Sequence, residues 1–242
     1  MSEIQLYKGD CLEIMKSIPD KSIDMILCDL PYGKTKCKWD KIIPFSQLWE
    51  LYERIIKPNR AIILFGSEPF SSKLRLSNLK WYKYDWVWDK VKPSGHLNAK
   101  IMPMQQQENI MVFGNGKLQY YPIMIPQKHR ISKNYIQTKS DIYGKEVTVE
   151  RVTTAKYPKS IISFSNASQK GKLHPNQKPI ALLEYLIKTY TNEGETVLDN
   201  CMGSGSTGMA CKNTNRNFIG IEIDETYFST AKSIIEELKY DL

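Results

Sequence analysis

"ETVLDNCMGSGSTGMACKNTNRNFIGIEID", residues 195–224, decides the fold. A short apolar run over 196–198 ends on Asp199, a glycine-rich loop follows, and "TGMACKNT" has the composition of a helix. "NFIGIEID" is then a second strand that finishes on Glu222. Strand, helix and strand in about 30 residues make a βαβ unit, whose two strands must lie parallel. Gly203 and Gly205 let the backbone turn sharply into the N-terminus of a helix, where free N–H groups can face a ligand. Glu222 lies seventeen residues beyond Gly205. That places a carboxylate where it can accept hydrogen bonds from ribose hydroxyls. The reading predicts a ribose-bearing cofactor.

Outward from this unit, strand and helix signals alternate, which favours an α/β fold with a mainly parallel, twisted sheet and helices on both faces. "EIQLY" (3–7), "IDMILCD" (23–29) and "RAIILFGS" (60–67) read as strands. "CLEIMKSI" (11–18) and "PFSQLWELYERII" (44–56) read as helices, the second with Leu48, Trp49, Tyr52 and Ile55 at helical spacing. "YDWVWDK" (84–90) and "ENIMVFG" (108–114) read as an antiparallel pair at the sheet edge. In "HPNQKPIALLEYLIKTYT" (174–191), Ile180, Leu183, Leu186, Ile187 and Tyr190 share one helical face, with Pro179 near its start. Residues from Tyr227 to Leu238 line a final helix.

"IDMILCDLPY" raises a second question, because an apolar strand finishes on Asp29, followed by Leu30, Pro31 and Tyr32. A strand that ends in a carboxylate delivers it to the carboxyl edge of the sheet, where open α/β folds bind ligands. An ionised Asp only accepts hydrogen bonds and so suits an amino group. Pro31 fixes the local backbone, and Tyr32 can cover a flat ring. Together these are the parts needed to hold an exocyclic aromatic amine. Taken alone, the string also fits an ordinary strand end followed by a Pro-Tyr turn.

The two sites in combination resemble the DNA amino-methyltransferases, which act on N6 of adenine or N4 of cytosine. The hallmark D-P-P-Y of that family stands here as "DLPY", and its F-x-G-x-G as "CMGSG". The tetrapeptide comes first and the cofactor loop last, a circularly permuted order similar to that of the family's beta group. The resemblance extends over nearly the whole chain apart from an inserted segment. It implies a Rossmann-like methyltransferase fold, S-adenosylmethionine as cofactor, and Asp29, Leu30, Pro31 and Tyr32 as catalytic residues. It further implies Asp10, Cys11, His174, Lys178, Asp199, Cys201, Gly203, Gly205, Ser206, Thr207 and Glu222 as cofactor-binding residues. Two positions depart from the pattern. Leu30 replaces a proline that acts through its carbonyl, and Cys201 replaces a phenylalanine that packs on the cofactor.

The distribution of charge adds a partner. The chain has a net charge of +8, and residues 117–173 carry eleven Lys and Arg against Asp141, Glu146 and Glu150, so the excess lies in this segment. Five tyrosines are mixed into it. Basic groups that neutralise phosphates, among rings that stack, suit a nucleic acid. The chain therefore divides into a catalytic part (1–116), a target-recognition insertion (117–173) and a cofactor-binding part (174–242). Lys34, Lys36, Lys38, Lys128, Arg130, Lys133 and Lys139 are the expected DNA contacts. Adenine N6 in DNA, reached by base flipping, is the favoured target. N4 of cytosine, a protein glutamine amide and an inactive DNA-binding scaffold are the rival readings.

Five cysteines without a C-x-x-C pair read as reduced thiols. His96, His129 and His174 are too scattered for a metal site. No apolar run is long enough for a membrane span, and the first ten residues do not read as a signal peptide. The expectation is a cytoplasmic enzyme without metal. A homodimer and a restriction endonuclease counterpart are further expectations.

Overall fold

The structure is a computed structural model that describes residues 2–34, 40–137, 146–166 and 177–237, with backbone alone for 129–130, 132–137, 146–151 and 237. It separates into two compact units, residues 1–121 with 160–242, and residues 122–159.

The larger unit is built on an eight-stranded sheet. Its strands in chain order are β1 (Ile4–Lys8), β2 (Ile23–Cys28), β3 (Ile56–Gly66), β4 (Tyr82–Ser94), β5 (Gln105–Phe113), β8 (Ile161–Ser163), β9 (Thr196–Asp199) and β10 (Asn217–Glu222). They lie side by side as β1-β10-β9-β2-β3-β5-β4-β8. Within this sheet β5 alone runs antiparallel to its neighbours; the other pairings are parallel.

Burial explains why β2 sits in the middle. All six of its residues are buried, as expected of a strand covered on both faces. Its side chains alternate between two cores. Met25 and Leu27 join Leu182, Leu186, Ala210 and Ile235 beneath α4 (Ile180–Tyr190), α5 (Ser206–Asn213) and α6 (Glu225–Glu237). Ile26 and Cys28 join Met15, Leu48, Tyr52 and Leu74 beneath α1 (Cys11–Met15), α2 (Phe45–Ile55) and α3 (Phe70–Ser77). A period of two across a sheet with helices on both faces gives this division.

The β4–β5 pair is antiparallel, but it is not the edge. β5 lies between β3 and β4, and β8 covers the outer side of β4 through the register Val87↔Ile161 to Asp89↔Ser163. Residues Ile161–Ser163, which fall inside the 117–173 insertion expected from sequence, therefore belong to the main sheet. Buried Ile162 packs in the same core as Trp86 and Trp88, which outweighs its position in a polar stretch. The smaller unit is one antiparallel ribbon of β6 (Ile125–Gln137) and β7 (Glu146–Lys156).

The topology dictates where a ligand can go. From β2 the chain continues to β3 on one side, whereas from β9 it continues to β10 on the other. β2 and β9 are hydrogen-bonded neighbours, Met25 opposite Val197 and Ile26 opposite Leu198. The chain thus diverges between them, and the crevice at their carboxyl ends is the switch point at which open α/β sheets bind ligands. Asp29 follows one strand and Asp199 ends the other.

Candidate active site

Asp29 leaves β2 into a cleft of about 550 Å3. Leu30 turns back, its side chain buried with the α1–α3 core, so a leucine fits where a proline is usual. Tyr32 brings its hydroxyl 2.6 Å from Asp29 Oδ1 and 3.0 Å from Glu108 Oε1. One phenolic proton serves these two acceptors in turn. Lys178 Nζ donates to Asp29 Oδ2 at 2.5 Å and lies 3.0 Å from Glu108 Oε1. Lys90 Nζ closes the group, 2.8 Å from Glu108 Oε2. Two carboxylates and two ammonium groups thus balance.

The pKa shifts follow from that balance. Burial alone would raise the Glu108 carboxyl, but Lys178 and Lys90 override it and hold it at about 2. Burial would likewise lower the Lys178 ammonium, and Asp29 and Glu108 reverse this and push it up. Burial, reinforced by the same two carboxylates, pushes the Tyr32 phenol well above its ordinary value. Around neutral pH Glu108 is ionised, Lys178 is charged, and Tyr32 keeps its proton and donates. The Tyr32 ring is also occupied on one face, stacked on Phe70 with centroids 4.8 Å apart and planes at 26°. The Lys34 ammonium lies over the same ring, 5.9 Å from its centroid, and the ring lines the cleft.

The second half of the cleft is built at the ends of β1, β9 and β10. Asp199 Oδ1 accepts from Cys201 N at 3.1 Å and Oδ2 from Thr207 Oγ1 at 2.6 Å, and burial pushes its carboxyl up to about 6. Glu222 accepts from Gly203 N at 2.9 Å and from Asp224 N at 2.8 Å, and burial outweighs these bonds to push its carboxyl up. Asp10 caps α1 by accepting from Leu12 N at 2.8 Å. Cys11, Cys201, Ser206 and Thr207 line the same cleft. Burial pushes the neighbouring Cys28 thiol up to about 12, so it offers no thiolate.

The glycines divide their work. Gly203 has φ +53 and lines the cleft, and a Cβ built there meets nothing within 4 Å. Gly205 does not line it. At φ +83 it admits α6, since a Cβ would stand 2.9 Å from Ala231 Cβ. Gly208 is equally crowded by Ile235 and Phe218. The string G-S-G-S-T-G does carry the G-x-G-x-x-G spacing of dinucleotide turns. Here two of its three glycines serve helix packing, so spacing alone does not choose the cofactor.

The remaining candidates are dispersed. Lys178 lines the cleft, but its ammonium is committed to Asp29 and Glu108. Lys34 donates to Ser67 Oγ at 2.7 Å and to the Glu68 carbonyl at 2.6 Å. Lys128 is exposed on β6. Arg130 and Lys133 lie on β6 with only their backbone described, and Lys36, Lys38, Lys139 and His174 fall outside the described residues. Glu108, Lys90 and Phe70 were not singled out from sequence. Two of them carry a signal: Lys90 and Glu108 stand at facing ends of the predicted antiparallel pair. Among the described residues no group of three His, Cys, Asp or Glu side chains could hold a metal ion. No described helix is long and apolar enough to cross a membrane.

A profile described as DNA methylase, of the N6/N4 type, matches residues 23–233. The chain belongs to the N6/N4 DNA methylase family. Within curated relatives of this family, it is 27% identical to the Type II methyltransferase M.HpaI of Haemophilus parainfluenzae, covering 96% of this chain and 74% of that one. It is 28% identical to the Type II methyltransferase M2.DpnII of Streptococcus pneumoniae, covering 96% and 89%. Among solved structures, the M1.HpyAVI–SAM complex superposes with a TM-score of 0.65 at 28% identity, covering 95% of this chain and 98% of that one. The PvuII DNA methyltransferase, described as cytosine-N4-specific, gives 0.69 at 17% identity, covering 96% and 86%, a likeness of fold.

Proposed function

We propose that this DNA methylase transfers a methyl group from S-adenosylmethionine to the exocyclic N6 of an adenine flipped out of duplex DNA. The observation that carries the reading is Asp29, clamped by Tyr32 and Lys178 yet 28% exposed, in the same cleft as Gly203 and Glu222. The residues present fit the cofactor. The space over Gly203 is open, Glu222 can accept from ribose hydroxyls, and Asp10 lies beside it at the end of the neighbouring strand. When bound, S-adenosylmethionine supplies an electrophilic methyl group on sulfur.

The chain's own residues then have a positioning task. An exocyclic amine attached to an aromatic ring is a poor nucleophile because its lone pair is delocalised into the ring. Asp29 accepts one amine N–H, and the Leu30 or Pro31 carbonyl accepts the other, which draws the nitrogen towards tetrahedral geometry. Lys178 and Tyr32 fix the Asp29 carboxylate so that no reorganisation is needed when the amine arrives. The Tyr32 ring, which lines the cleft, stacks on the extruded base, a contact worth about 1–3 kcal/mol against a flipping cost of a few. Similarity to Type II methyltransferases supports a defined recognition sequence. The basic segment 122–159, whose sequence includes Lys128, Arg130, Lys133 and Lys139, is suited to read it.

The deciding experiment incubates the protein with labelled S-adenosylmethionine and DNA and identifies the modified nucleoside by mass spectrometry. N6-methyladenine is expected. N4-methylcytosine would reassign the base, and cofactor binding without transfer would point to an inactive scaffold.

A further inference from the structure

β4 and β5 do not stop where the sheet does. β3 ends at Gly66, opposite Asn109, whereas the β4–β5 ladder continues through Trp88↔Glu108 and Asp89↔Gln107 to Ser94↔Gln105. Because β4 runs parallel to β2 and β3 and ends at Ser94, this hairpin projects beyond the carboxyl edge that carries Asp29. Its root is the catalytic cluster itself, through Lys90 and Glu108. At about 3.3 Å per residue, its end lies roughly 10 Å beyond Glu108.

The tip is ordered by its own backbone. Gly95 adopts φ +95, a 3₁₀ turn spans His96–Asn98, and Ile101 and Met102 both donate to the Asn98 carbonyl at 3.0 Å. This compact turn holds apolar side chains outward: Leu97 is 101% exposed, Ile101 81% and Met102 56%. A fold that buries every residue of β2 leaves three large apolar groups in water at one point. From Lys90 to Gln107 the hairpin carries Lys90, Lys92 and Lys100 and no acidic residue. An apolar point between lysines, rooted in the active site, suits an anionic partner with an apolar gap to fill. A duplex from which one base has been extruded is such a partner, since it pairs phosphates with an opened stack.

We infer that the β4–β5 tip is a DNA wedge: Leu97 and Ile101 enter the stack left by the extruded base, and Lys92 and Lys100 meet the flanking phosphates. The inference rests on the proposed reaction at an extruded base. Apolar wedges of this kind stabilise an opened step without reading its sequence. The wedge therefore lowers the cost of flipping and leaves methyl transfer itself unchanged.

The test uses the full-length protein and two oligonucleotide duplexes that carry the target site, mapped first by sequencing methylated plasmid DNA. One duplex is fully paired, and the other has an abasic position opposite the target base, which is then already loosened. The double variant Leu97→Ser with Ile101→Ser changes only exposed side chains. It should lose about 10- to 100-fold in kcat/KM on the paired duplex and recover to within about threefold of the unsubstituted protein on the abasic one. S-adenosylmethionine affinity should not change. An unaffected paired duplex, or an equal loss on both, would overturn the wedge. A loss that tracks a change in oligomeric state in gel filtration would assign the tip to a contact between copies and overturn it too. If the unsubstituted protein methylated neither duplex nor plasmid, the catalytic reading would fail first, and the wedge with it.

Discussion

β2 begins and ends beside a carboxylate, and the two behave differently. Asp24, near its start, is 3% exposed and saturated. It takes Lys57 Nζ at 2.8 Å on both oxygens, Arg60 at 3.0 Å and the Thr196 N–H at 3.0 Å. Arg60 in turn pairs with Glu195 at 2.5 Å, which ties β3 to the start of β9. Asp29, just past the end of the strand, has Tyr32 and Lys178 as partners and keeps a face on the cleft. The same residue type thus braces the sheet at one end and stays open to the cleft at the other. What separates the two is whether the partners close the shell.

The contrast can be broken by exchanging effects. Asp29→Asn should lower methyl transfer by roughly 10³-fold, measured as kcat on saturating DNA, with the melting temperature unchanged. A large drop in melting temperature would place Asp29 with Asp24 among the structural carboxylates. Asp24→Ala should do the reverse. It leaves the Thr196 N–H without its acceptor and Arg60 with Glu195 alone, and should cost about 1–3 kcal/mol in denaturant unfolding, with activity per folded molecule retained.

Lys178→Met sharpens the comparison, because it opens the shell around Asp29 without touching that residue. A loss of about 10²-fold in kcat is expected, with S-adenosylmethionine affinity nearly constant. Without the Lys178 ammonium, the Glu108 carboxyl should rise from about 2, so the acid limb of the pH–rate profile moves to higher pH. An unmoved profile would remove Lys178 from the catalytic cluster.

Asp199 supplies the smallest effect and a sign. Its carboxyl is raised by burial from the ordinary 3.8 to about 6, so the folded state binds the proton more tightly than the unfolded one. Stability contributed by that protonated group is full below about pH 4 and is lost as pH rises through about 6. Asp199→Asn should therefore stabilise the protein at pH 8 by up to about 3 kcal/mol and leave it unchanged at pH 4. Thermal melts at the two pH values check this.

The readable parts of the site were those whose geometry is local. "VLDNCMGSGS" fixes a strand, a turn and a helix start within ten residues, and "ILCDLPY" fixes where a carboxylate leaves a strand. Glu108 and Lys90 were legible only as facing ends of a strand pair, because Glu108 meets the Asp29 partners Tyr32 and Lys178 only after β5 has inserted between β3 and β4. The β4–β5 tip escaped for a related reason. Its lysines vanish in a charge count, since basic and acidic residues balance outside 117–173, although they are separated in space.

The sequence by itself determined the α/β class, the βαβ cofactor unit and the local placement of Asp29, Tyr32, Gly203 and Glu222. Backbone periodicity and turn chemistry act over a few residues and leave their mark in order. Only the tertiary structure decided that Gly205 yields to Ala231, that Phe70 takes one face of Tyr32, and that Lys178 and Glu108 complete the Asp29 shell. Those outcomes depend on which strands become neighbours. Packing between residues as far apart as Asp29 and Lys178 sets that choice, and no short window of sequence contains it.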